Sequence, residues 1–140
     1  MFFNLHSLQW DDQLIEAFGL TGIQLPQIKS SSSFFGETTL ENLFSQPVSV
    51  NALIGDSHAA AFGEGCFEKG TAKATMGTGC SILMNIGDKP IASDNGMVTT
   101  ICWSMEGRID YALEGVIVSC GATIEWLKNE LNLFSDSAAT

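Results

Sequence analysis

Between Thr71 and Glu114 the chain offers four stretches of strand-forming residues, Thr71 to Met76, Ser81 to Ile86, Met97 to Trp103 and Ile109 to Glu114. Glycine-bearing turns, Gly77-Thr78-Gly79 and Glu106-Gly107, separate two of the pairs. Turns this short have no room for a crossover helix, so the strands they join run antiparallel, and the block predicts a β-meander. It feeds an amphipathic segment, Ala122 to Leu131, in which Ile124, Leu127 and Leu131 recur at helical spacing. The sequence upstream of this block has a different pattern.

The upstream pattern changes character near Lys69-Gly70. Met1 to Leu5 is apolar and reads as a short strand. Trp10 to Gly19 carries acids in its first turn, apolar residues at Leu14, Ile15 and Phe18, and a terminal glycine, which together predict a short amphipathic helix. Thr21 to Pro47, with Pro26 and the run Ser30 to Ser33, reads as a long loop with at most one short strand. Val48 to Ile54 then predicts a strand, Gly55-Asp56 a tight turn, and the alanine-rich Ser57 to Phe62 a helix. Ser135 to Thr140 is small and polar and is expected to fray.

Composition narrows the function. The 140 residues are 45% hydrophobic, enough for a core of one-domain size and too much for a disordered chain. Only 16% are charged, against roughly 25% in typical soluble proteins, so part of the surface is expected to lie under something else. Sixteen acids against six bases give a net charge of -10, without any Lys/Arg cluster, which argues against nucleic acid and against an anionic membrane surface. The absence of an apolar run near the ~20 residues of a membrane span, and of a basic start followed by an apolar core, points to a cytoplasmic protein. Cys66, Cys80, Cys102 and Cys120 lack zinc or redox spacing and read as buried reduced thiols. Trp10, Trp103 and Trp126 read as core or interface residues.

Two motifs carry chemistry. In Gly55-Asp56-Ser57-His58-Ala59-Ala60 a carboxylate follows a strand at the start of a helix, where open α/β sheets place ligands. Asp56 there can accept the proton of a substrate hydroxyl, or it can simply cap the helix. His58, two residues on, either hydrogen-bonds a polyol or packs; His6 is less informative still. In Thr75-Met76-Gly77-Thr78-Gly79-Cys80 the glycines permit close backbone approach, so that N–H groups and the Thr78 hydroxyl could hold phosphate oxygens; an ordinary glycine hairpin fits the same residues. Gly115 and Gly121 flank the entry to the last helix, allowing either a flat ligand or a close packing contact there.

Taken in order, these segments resemble the FGGY carbohydrate kinases, within them the glycerol kinase branch. The resemblance runs from Phe3-Asn4-Leu5-His6 and Trp10-Asp11-Asp12 through Leu25-Pro26, Gly55-Asp56 with Ala59-Ala60-Ala61-Phe62-Gly63, and Met76-Gly77-Thr78-Gly79-Cys80 with Leu83-Met84-Asn85. It continues through Asn95-Gly96 and Thr99-Thr100 to Tyr111-Ala112-Leu113-Glu114-Gly115 and Gly121-Ala122-Thr123-Ile124-Glu125-Trp126-Leu127. It implies part of an α/β, actin-like ATPase (ribonuclease H-like) fold spanning the junction of two domains: residues 1–68 from the end of the first, substrate-side domain and residues 69–140 from the start of the second, nucleotide-side domain. It implies ATP and Mg2+ as cofactors, a sugar or polyol as substrate, and a homo-oligomer for the full-length form.

The resemblance further implies Asp56 as catalytic base, with Asp56, Ser57 and His58 at the substrate and Gly77, Thr78, Gly79, Gly121 and Glu125 at the nucleotide; no residue is assigned to a metal. Ser57 stands where glycerol kinases carry a glycerol-contacting glutamine, which favours a larger polyol, a ketopentose or another sugar. Glu125 likewise stands where they commonly have glutamine. Members of the family are several times longer, so the chain is expected to be a fragment that does not catalyse phosphoryl transfer alone. A non-catalytic nucleotide-binding module and an inactive remnant are the alternatives.

Overall fold

The computed structural model describes residues 2–139. In chain order the elements are β1 (Phe3–Asn4), β2 (Gln9–Trp10), α1 (Asp12–Ala17), β3 (Ser32–Thr38), β4 (Val48–Ala52), α2 (Asp56–Gly63), β5 (Ala72–Met76), β6 (Cys80–Gly87), β7 (Val98–Met105), β8 (Arg108–Ile117), α3 (Gly121–Asn129) and a terminal 3-10 turn, Ser137–Ala139. The four expected strands form one antiparallel sheet, but its order is β5-β6-β8-β7. This corrects the meander. The long connection 88–97 carries the chain past the place beside β6, and the Glu106-Gly107 turn folds β8 back into it. β8 then pairs on both sides, Met84↔Leu113 with β6 and Thr99↔Leu113 with β7.

Alternation along the strands divides the buried residues between two faces. On one, Leu83, Cys102, Trp103 and Ala112 meet Ala61 of α2, Cys66 and Ile54. On the other, Ile86, Tyr111 and Leu113 pack with Leu5, Met84, Ile101 and Ile109. A register shift between Ile101 and Trp103 breaks strict alternation and lets the consecutive Cys102 and Trp103 enter the same cluster. The upstream half is thus fastened to both faces of the sheet. Tyr111 donates its hydroxyl proton to the Leu5 carbonyl at 3.2 Å, and fully buried Asn85 donates to the Cys66 carbonyl at 3.0 Å while accepting from the Gly87 amide at 2.8 Å.

The upstream elements differ in detail from expectation. Phe3–Asn4 is half of a small hairpin, with Phe3 opposite Trp10. Because Trp10 belongs to that hairpin and Asp11 caps the helix by accepting from Leu14 N at 3.1 Å, α1 is shorter than the sequence pattern. The stretch read as a loop contains β3, seven residues paired with β4. Its serines look unfavourable for a strand in isolation, but the sheet gives the neighbouring hydroxyls partners: Ser30 Oγ donates to the Ser104 carbonyl at 2.7 Å, and the Ser104 amide donates to Ser31 Oγ at 3.1 Å.

Cys66, Cys80 and Cys102 are buried and free as expected, whereas Cys120 is half-buried. Burial, with the Asp110 carboxylate adding to it, pushes the Cys102 thiol up to about 12, so it stays protonated and inert. Among the tryptophans, Trp103 is in the core and Trp126 is 52% exposed on α3. Met76, Val116, Ile117 and Val118 are exposed as well, in keeping with the low charged fraction.

Candidate functional site

The turn between β5 and β6 is closed by the Gly77 amide donating to the Gly79 carbonyl at 2.8 Å. It is also held from outside by the start of α3. The Cys120 and Ala122 amides donate to the Thr78 carbonyl at 2.9 and 3.1 Å, and the Gly121 amide donates to the Gly77 carbonyl at 2.9 Å. Backbone approaches backbone so closely that side chains are excluded. A Cβ on Gly121 would lie 2.5 Å from the Gly77 oxygen, and one on Gly79 2.8 Å from the Ile117 oxygen. Of the two sequence readings of Gly121, the close packing contact is present in the fold, with the turn rather than another helix as its partner.

Behind this docked turn opens a cleft of about 590 Å3 that brings Gly77, Thr78, Gly121 and Glu125 together. Gly79 is turned away, against residues 117–118. Glu125 is exposed and already engaged: Lys128 Nζ donates to Oε1 at 3.1 Å and lies 2.8 Å from Oε2, and Ser137 Oγ donates to Oε1. The Lys128 hydrogen bond, then that from Ser137, holds the carboxyl below its usual range, so an ionised acceptor occupies the cleft wall.

Gly121→Ala is expected to push the turn off α3. Overpacking of this kind costs about 1–3 kcal/mol, read as a lower midpoint in urea unfolding of the chain; an unchanged midpoint would show that the turn can shift freely.

Asp56 is the first residue of α2, following Gly55 at the N-cap. It is exposed, and its Oδ1 accepts from the adjacent Ser57 amide at 2.6 Å. Asp56 therefore sits inside the first turn and is not the cap, which leaves its carboxylate facing outward at a helix start where negative charge is favoured. His58 turns inward. Its Nε2 is buried and without a hydrogen-bond partner among the described residues. Burial pushes the imidazole pKa down and nearby Lys73 adds to this, while Glu114 and Asp56 pull the other way; the ring is neutral at pH 7. Ser57 Oγ accepts from Lys73 Nζ at 3.3 Å.

Lys73 and Glu114 were missed by the motif reading. Period-two alternation offers a signal for the first: Lys73 and Thr75 share a face of β5 that is opposite Ala72 and Ala74. Lys73 is the buried one of that strand, and its ammonium reaches Thr75 Oγ1 at 2.6 Å. Glu114 looked like part of a strand end, and only the β6–β8 pairing shows it accepting from Ser81 Oγ at 3.2 Å.

The chain is similar in sequence and fold to known carbohydrate kinases. Residues 1–63 match the FGGY family of carbohydrate kinases, N-terminal domain. Over 138 residues, 99% of the chain, the sequence is 44% identical to glycerol kinases of Bacillus mycoides (strain KBAB4) and Bacillus cereus (strain G9842). The chain spans 28% of the length of those relatives. The glycerol kinase of Plasmodium falciparum, solved with ADP, superposes with a TM-score of 0.87 at 34% identity, covering 99% of this chain and 28% of that one. The xylulose kinase of Rhodospirillum rubrum, at 20% identity and a TM-score of 0.78 over 99% of this chain and 28% of that one, shares the fold. The architecture is the expected part of an actin-like ATPase fold, and the chain is similar to FGGY carbohydrate kinases along almost all of its length.

Proposed function

We propose that this chain contributes the base and part of the nucleotide site to an ATP-dependent kinase that transfers the γ-phosphoryl of ATP to a hydroxyl of a sugar or polyol. The observation that carries the reading is the glycine turn docked on α3, which gathers Gly77, Thr78, Gly121 and Glu125 into one cleft in a chain similar to a glycerol kinase that was solved with ADP. Residues 1–68 belong to the substrate side and residues 69–140 to the nucleotide side, a division supported by the N-terminal-domain match over residues 1–63. Asp56 takes the proton from the acceptor hydroxyl as its oxygen attacks the γ-phosphorus. Thr78 and the turn hold phosphate oxygens. Mg2+ carried on the nucleotide phosphates would supply charge neutralisation there. The enzyme works in the cytoplasm as a homo-oligomer, with ATP and the acceptor as its small-molecule partners and neither nucleic acid nor membrane; among the described residues no helix is long and apolar enough to cross a membrane.

The acceptor is larger than glycerol. Ser57 is short and its hydroxyl is turned to Lys73, which leaves space beside Asp56 for a longer acceptor, whereas the buried His58 Nε2 faces inward and is not offered to it. The test replaces the matching stretch of the Plasmodium falciparum glycerol kinase with residues 2–139 and assays ATP-dependent phosphorylation across glycerol, larger polyols and ketopentoses. Preference for an acceptor larger than glycerol is expected. Preference for glycerol overturns the acceptor assignment, and a folded graft inactive on every acceptor overturns the kinase reading. The purified 140-residue chain should show no turnover, because in-line transfer needs groups from both sides of the cleft held together.

A further inference from the structure

Lys73 is 2% exposed, and its ammonium rests on two neutral hydroxyls, Thr75 Oγ1 at 2.6 Å and Ser57 Oγ at 3.3 Å. The ion pairs of the described residues lie elsewhere, at Arg108–Asp110 and Lys128–Glu125. Removing an ammonium from water without a carboxylate partner costs several kcal/mol, and a methionine of similar length would fill the same space without that penalty. The position is also telling. β5 runs from Lys73 directly into the Gly77–Gly79 turn, and the same ammonium reaches across to the first turn of α2, next to Asp56. His58 in that turn is faced electrostatically by Lys73 from β5, by Glu114 from β8 and by Asp56 from its own helix.

We propose that Lys73 is a positioning residue for phosphoryl transfer: its hydroxyl contacts lock the first turn of α2, with Asp56, onto the strand that carries the glycine turn. The proposal rests on the reading of Asp56 as base. Lys73 touches neither substrate; it acts by fixing where the base stands relative to the phosphate-holding turn, and an error of an ångström between them is enough to slow transfer severely.

Three variants test it: Lys73→Met, Thr75→Val and Thr75→Ser. In the 140-residue chain, Lys73→Met should move the NMR titration midpoint of His58 to higher pH, because the cation that disfavours its protonated form is gone. Thr75→Val should displace the Ser57 and His58 amide signals, and Thr75→Ser should restore them. In the grafted kinase, Lys73→Met and Thr75→Val should lower kcat by about 10- to 100-fold, with KM values within about twofold, and Thr75→Ser should keep wild-type kcat. Packing alone predicts the reverse order at position 75, with valine replacing threonine harmlessly and serine the poorer substitute; that result, or Lys73→Met with an unchanged His58 midpoint and kcat, overturns the proposal. Should Lys73→Met fail to fold, the Thr75 pair decides by the same criteria. An active Asp56→Asn graft would sink the base reading instead, while the NMR signals would still report whether the Lys73 link exists.

Discussion

Asp56→Asn in the grafted kinase should lower kcat by about 10²- to 10⁴-fold, the usual contribution of a positioned general base, while ADP binding stays unchanged. The substitution is nearly isosteric, and the carbonyl of the new carboxamide can still accept the Ser57 amide that Asp56 Oδ1 holds at 2.6 Å, so α2 should start in the same place. Only the capacity to take a proton is lost. The cleft containing Thr78 is built from the β5–β6 turn and α3, with no atom of α2 in its lining, and nucleotide affinity should not follow the change. Single-turnover phosphorylation and ADP titration calorimetry on the same preparation measure the two separately. A kcat within tenfold of the parent graft would remove Asp56 from the base role, and a matching loss of ADP affinity would mean that the variant disturbed the fold rather than the chemistry. A chain that only binds nucleotide has no use for this carboxylate, so the same experiment separates a kinase segment from a binding module.

How much of this was legible in the sequence depends on which physical signal each feature leaves. The strands of the sheet, the turn at Gly77–Gly79 and the helix beginning at Gly121 were marked by alternation, glycine placement and helical spacing, and all appear within a few residues of their expected bounds. Strand order left no such signal. Alternation tells which face a side chain takes, not which strand stands beside it, and the β5-β6-β8-β7 order depends on a long connection whose path is set by packing. β3 was hidden for a related reason: the hydroxyls beside it are satisfied by Ser104, seventy-three or seventy-four residues away. At the candidate site, residue types suggested Asp56 and the glycine turn, but each also fitted a structural explanation, and it was the ordered resemblance to a family that joined them. Lys73 shows the remaining gap. A lysine in a small-residue strand is ordinary in sequence, and its meaning appears only when burial and its two hydroxyl partners are seen together.

Trp103→Ala should be the most destabilising single change in the chain, lowering unfolding free energy by about 3–5 kcal/mol as large aromatic truncations in cores do. Trp103 is 2% exposed and forms a three-ring cluster with Phe62 of α2, at 5.3 Å and 89°, and with Phe67, at 6.0 Å and 71°. Its indole also donates to the buried Asp110 carboxylate at 2.7 Å, which Arg108 reaches from the other side at 3.0 and 3.1 Å. Alanine would therefore leave a cavity under α2 and take a donor from a buried charge. Trp103→Phe separates the two in part: it keeps one aromatic ring in the cluster but loses the N–H, for about 1–3 kcal/mol, and the volume of the second ring, so its cost should lie below that of Trp103→Ala. Urea unfolding of both variants measures the difference, and a loss below about 1 kcal/mol for Trp103→Ala, well short of the usual range, would mean that the sheet closes over the gap. The consequence reaches the candidate site because α2 lies on this cluster through Phe62 and Ala61 and presents Asp56 at its other end. Loosening that contact should release the helix start from its place relative to the Gly77–Gly79 turn, so in the grafted kinase kcat should fall with Trp103→Ala even though no atom of Trp103 borders the nucleotide cleft.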